Sequence, residues 1–247
     1  GTSITVHGTN FGTRDMSVFG RLGGTAVTGV TWTSDTSVAV KTGAGVSFSR
    51  SVGVSVQNLY STLTNAISYN PPVVRSAGPA TMPTTGGATV AVFGMYMGYA
   101  DYTQRGRVGG SACEATVWTS DSSVGCKTAA GVLISLGVHV TSGRHHSTMT
   151  RLVSYQAPTV SNVKLTNAPT TGSTTVTVFG RGLGTSMYTP RVRMGGTACE
   201  ASVWTSDSSS TCKMARGVYV SRWAVVSSGY QWGTVTGMFS YDPPIPS

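Results

Sequence analysis

The chain has 247 residues, among them 32 Gly, 32 Ser and 37 Thr, and its 13 Arg and 4 Lys face eight acids for a net charge of +9. Charged side chains make up 10% of it, against roughly a quarter in an ordinary soluble domain, and the apolar share of 39% is enough for cores but thinly spread. This excludes a collagen-like glycine period, an acidic disordered tail and a helical Ala/Glu/Lys/Leu bias, and no apolar run is long enough to span a membrane as a helix.

In chain order, Ile4-Thr5-Val6 is the first alternation of period two and reads as a strand. A Trp-Thr-Ser-Asp segment, Trp32–Asp35, follows, and the unit closes on Ser68-Tyr69. Asn70-Pro71-Pro72 then forms a joint that proline stiffens, since it restricts its own backbone and that of the residue before it. Val73-Val74 reads as the opening strand of the next unit, with further strands at Thr89–Phe93, Val138–Val140 and Thr148–Tyr155. After the joint Gln156-Ala157-Pro158 the same order returns, with Val160–Val163 and Thr175–Phe179.

The repeat is strict. Trp-Thr-Ser-Asp recurs at Trp118–Asp121 and Trp204–Asp207, an offset of 86 residues each time. The same offset relates Gly23-Gly24 to Gly109-Gly110 and Gly195-Gly196, and Tyr69 to Tyr155 and Tyr241. Surface loops tolerate length changes cheaply, so loops of unchanged length need a cause. Recent duplication is one; the other is that the loops touch a neighbour and cannot grow. The units are residues 1–70, 71–156 and 157–242, with 243–247 beginning a further copy. Gly1 aligns with Gly87, so the first unit is expected to lack its opening strand, and the chain reads as a window on a longer array. Short strands at intervals of about ten residues make each unit a two-sheet sandwich, with the repeated Trp and the closing Tyr as expected core anchors.

The run Pro158-Thr-Val-Ser-Asn-Val163, Thr174–Gly180, Gly184, Val192–Gly196, Trp204–Asp207 and Phe239-Ser-Tyr241 resembles the IPT/TIG family of immunoglobulin-like domains, three times over. The resemblance implies an all-β chain of three tandem immunoglobulin-like β-sandwiches in a beads-on-a-string array. The family serves in receptor ectodomains, large secreted or surface proteins, accessory modules of carbohydrate-active enzymes and Rel-like transcription factors, and fold alone does not choose among them.

Cys113 and Cys126 lie 13 apart in the second unit, as do Cys199 and Cys212 in the third, while Val27 and Val40 occupy both positions in the first. Joint presence and joint absence is what a covalent pair requires. Disulfides are therefore expected, with buried free thiols and a metal site as alternatives; two ligands per unit cannot close a four-ligand zinc site. Disulfides point to an oxidising compartment, extracellular or cell-surface, and against the nuclear reading.

Nothing suggests catalysis: eight acids form no paired carboxylates, and no Ser–His–Asp order or nucleophile elbow stands out. No cofactor or metal is expected, and Asp35, Asp121 and Asp207 read as turn formers, with calcium binding as the alternative. Lys41, Lys127 and Lys213 share one repeated position, and Arg21, Arg107 and Arg193 share another. These are solvated strand faces or two basic stripes that contact acidic glycan or a neighbouring subunit. Basic residues are not clustered with aromatics as nucleic-acid binding would need. One hairpin tip changes from unit to unit and presents Tyr60, His146 and Trp232, candidates for stacking on sugar rings or docking a neighbour. No Asn-x-Ser/Thr sequon exists, so any glycan is O-linked. The reading is an extracellular structural or adhesive segment that self-associates into, or decorates, a fibre or surface appendage. The alternative is a receptor ectodomain or carbohydrate-binding accessory module with one ligand site.

Overall fold

Alternating residues make the strands. In Thr89–Met95, Val90 and Val92 are fully buried while Thr89 and Phe93 face solvent, because successive side chains point to opposite sides of a pleated strand. Thr175–Arg181 repeats the pattern with Val176 and Val178. The structure, a computed structural model, describes residues 1–218, 220 and 222–245; Pro246 and Ser247, part of the segment 243–247 assigned to a further copy, lie outside the described residues.

Each unit is a sandwich of two antiparallel-rich sheets, and no helix occurs among the described residues. In the second unit, one sheet runs in the order Ala115–Ser120, Ser123–Lys127, Thr89–Met95, Val73–Gly78. The other runs Ser111–Ala112, Arg105–Val108, Leu136–Ser142, His145–Tyr155, with Thr81–Met82 added in parallel at the edge. The third unit repeats both orders. In the first, the sheet made of Ser3–His7, Ser37–Lys41 and Gly29–Ser34 has three strands where the others have four. Register repeats as well: Ser3, Thr89 and Thr175 pair with Lys41, Lys127 and Lys213.

The cores are small and valine-rich. Val90, Val92, Val124, Val138 and Val140 fill the second unit, with Met82, Met97 and Tyr155. The tryptophans stand half-buried at the margin of these cores, and two of the three indoles serve as struts: Trp118 Nε1 donates to the Gly98 carbonyl (3.0 Å) and Trp204 Nε1 to that of Gly184 (3.1 Å). The closing tyrosines do anchor. Tyr69, Tyr155 and Tyr241 donate to the carbonyls of Gly43 (3.0 Å), Ala129 (2.6 Å) and Ala215 (2.8 Å), and burial pushes all three hydroxyls above their usual pKa. Each ring lies against a glycine: a Cβ at Gly131 would come within 2.6 Å of Tyr155, so no larger residue fits there without displacing the ring.

Candidate functional site

Both cysteine pairs are disulfide-bonded, Cys113 to Cys126 and Cys199 to Cys212, and no described cysteine is free. Each bond ties the segment before one strand to the end of its hairpin partner. Beside it, Lys127 Nζ meets Glu114 at 3.0 Å and Lys213 meets Glu200 at 3.1 Å. In the first unit Thr28 takes the glutamate position and its hydroxyl donates to the Lys41 carbonyl at 3.1 Å. Two of the three lysines are thus paired within their own unit.

The repeated Asp pins a loop. Its side chain accepts from a glycine N–H 23 residues earlier: Gly12 for Asp35 (2.9 Å), Gly98 for Asp121 (3.1 Å) and Gly184 for Asp207 (2.8 Å). Among the described residues, no three His, Cys, Asp or Glu side chains group as metal ligands would.

The two repeated basic positions fall on opposite sheets. The lysines end strands of one sheet, while Arg21, Arg107 and Arg193 lie exposed on the outer face of the other. That second face also carries the hairpin residues Tyr60, His146 and Trp232. Register makes rows across three strands: Phe19–Ser55–Tyr60, Arg105–Thr141–His146 and Arg191–Ser227–Trp232. The next row holds Arg21, Arg107 and Arg193 opposite Gly53, His139 and Val225. Phe19, Arg105 and Arg191 are absent from the sequence-based candidates, although each sits two residues before a repeated arginine and so on the same side of its strand.

The joints between units are more than proline-stiffened links: they are contacts, and the same contacts occur twice. The turn at Gly143 rests on Val46 of the preceding unit, where a Cβ would sit 3.1 Å from Val46 Cγ2; Gly229 rests likewise on Val132, also at 3.1 Å and only 2.8 Å from its carbonyl oxygen. Tyr102 adjoins Tyr69 across the first joint and Tyr188 adjoins Tyr155 across the second, each raising its partner's hydroxyl pKa beyond the effect of burial. The first joint adds an edge-on contact of His145 with Phe48, ring centroids 5.2 Å apart. The second adds polar ties: Gln231 Nε2 donates to the Tyr155 carbonyl (3.0 Å), and buried Thr84 donates to Asp207 (2.8 Å).

The chain matches the family described as IPT/TIG domain over residues 1–70, 72–156 and 158–241. No curated protein matches it in sequence. Solved structures similar to it include the plexin A4 extracellular region (14% identity, 98% of this chain and 32% of that one, TM-score 0.34). A surface glycan-binding protein from Prevotella bryantii is similar at 15% identity over 71% of this chain and 43% of that one, TM-score 0.48. A tandem from titin is similar at 11% identity over 97% and 94%, TM-score 0.30. The chain therefore spans well under two thirds of the plexin and glycan-binding structures.

Proposed function

The chain belongs to the IPT/TIG family, and from that premise we propose that it is a stiff segment of an extracellular structural or adhesive protein, part of a fibre or cell-surface appendage. The observation that carries this reading is the duplicated joint, in which Gly143 on Val46 and Gly229 on Val132 hold successive units in the same manner. Linked domains move freely unless their interface is built to prevent it, so a repeated contact supports a spacer of fixed step. The disulfides support an oxidising compartment. The role is mechanical and not catalytic: strand ladders and internal cross-links resist extension while the units set a periodic surface for neighbouring chains. O-glycans on the abundant Ser and Thr would keep so sparsely charged a surface soluble.

Electron microscopy of the native material is the test, with filaments or appendages of regular axial step expected. Isolated monomers under native conditions would overturn the fibre. Small-angle scattering checks the joint: Gly143→Gln with Gly229→Gln, the residue at the equivalent Gln57, is expected to broaden the distribution of lengths without lowering the melting temperature of the units.

A further inference from the structure

We infer that the outer face of the third unit's larger sheet binds a polysaccharide bearing uronic acids. This goes beyond the mechanical role and does not depend on it. Three strands, Arg191–Met194, Arg222–Ser228 and Gln231–Tyr241, lie side by side in that sheet. Their register places Trp232, Ser227 and Arg191 in one row and Thr234, Val225 and Arg193 in the next. Trp223 continues the face beside the Gly195-Gly196 turn, its carbonyl accepting from Gly195 at 2.7 Å. Strand spacing sets Trp232 and Arg191 roughly 10 Å apart, and the two arginines, alternate residues on one strand, stand roughly 7 Å apart.

Both kinds of group are available. Trp232 is 69% exposed, in an environment where an indole of a folded protein is ordinarily covered. Among the described residues neither arginine is paired with an acid or stacked on a ring; the guanidinium of Arg193 reaches only the Gly196 carbonyl, at 3.5 Å. The unit's three acids are engaged elsewhere: Glu200 with Lys213, Asp207 with the Gly184 amide and Thr84, Asp242 with Asn167. The face is thus positive, flat and aromatic.

A uronate residue answers each feature. Its apolar ring face lies on an indole, and its planar carboxylate takes the two parallel N–H donors of a guanidinium. Charge complementarity selects an anion, and an oxidising compartment favours a polysaccharide over a nucleic acid. The other units lack the combination. The first has Phe19 in place of Arg191, and the second has His146 and Gly137 in place of Trp232 and Trp223.

The test uses the full chain with its disulfides intact, titrated with polygalacturonate, with its methyl-esterified form and with an oligothymidylate. Binding to polygalacturonate that weakens with salt and vanishes on esterification is expected. Trp232→Ala, which leaves the charge unchanged and the core intact, should weaken it by about tenfold. Arg191→Ala with Arg193→Ala should abolish it, and Arg191→Ala alone should weaken it, whereas Lys164→Ala, the same loss of one charge on the other sheet, should not change it. Thr234→Glu should abolish it without truncating any ring, and unchanged melting curves verify that each variant folds. No binding, equal binding of the ester, indifference to Trp232→Ala, or tighter binding of the oligothymidylate would each overturn the inference.

Discussion

In the second unit the corner of the hairpin is closed by Cys113–Cys126 and by the Lys127–Glu114 pair, and Trp118 Nε1 donates to the Gly98 carbonyl. In the first, Val27 and Val40 stand where the cysteines would be, Thr28 replaces the glutamate, and buried Trp32 Nε1 has no hydrogen-bond partner. The two corners have the same strands in the same register. A bond closing a loop of this length stabilises by roughly 3 kcal/mol in the chain-entropy model. Burying two valines contributes up to about 3–5 kcal/mol against exposing them. Val40 is fully buried and Val27 only partly, so the first unit's gain falls toward the lower end. Apolar packing therefore replaces the cross-link at comparable strength, while the indole N–H of Trp32 goes without the partner that Trp118 has.

The sharpest way to break this comparison is reduction. Dithiothreitol should destabilise the second and third units by roughly 2–4 kcal/mol each and leave the first unchanged, giving a denaturation curve that splits by unit. A curve that shifts as a whole would mean that the units unfold together. Next, Val40→Ala should cost the first unit about 2 kcal/mol, from two lost methyl groups and the cavity they leave. Cys113→Val with Cys126→Val should restore part of what reduction removes, by installing the first unit's solution in the second; chemical denaturation of the oxidised and substituted chains measures the difference.

A smaller effect concerns the feature all units share. Tyr155→Phe should cost about 1 kcal/mol by leaving the Ala129 carbonyl without its donor. The folded state holds the protons of Tyr69, Tyr155 and Tyr241 more tightly than the unfolded chain, so their contribution is complete below about pH 10 and is lost as pH rises beyond it. Alkaline melts of the Tyr155→Phe variant should show a shallower decline for the second unit alone. The smallest effect is Thr28→Glu, which gives Lys41 the partner its equivalents have; an exposed pair of this kind should add no more than about 0.5 kcal/mol, and less in high salt.

Much of this was legible in the residues. The period of 86, the alternation of Val90 and Val92 with solvent-facing neighbours, and the paired presence of cysteines at 113 and 126 all follow from local chemistry. The Trp-Thr-Ser-Asp segment is legible only in part: sequence shows a large aromatic that packs against the core but not that the N–H of Trp118 is a strut to a loop glycine 20 residues earlier. The binding-face rows were half legible. Strand parity joins Arg191 to Arg193, but only sheet order sets them against Trp232, which comes from a strand two positions away. The joints left one readable sign, Gln57 giving way to Gly143 and Gly229. All three have positive φ, near 55–60°, so backbone conformation alone does not demand the glycines. Proximity of the preceding unit does at Gly229, where a Cβ would meet the Val132 carbonyl oxygen at 2.8 Å, and that is a relation between units that no single repeat displays.

That pair of glycines bears on how such a chain changes over generations. A turn seated against the preceding unit has little slack, so one residue added at the tip would lift the unit off its support and be felt at the next joint. Whole copies, by contrast, bring their own seat and their own tip. Length gained or lost in complete increments, like links in a watchband, would keep the spacing even.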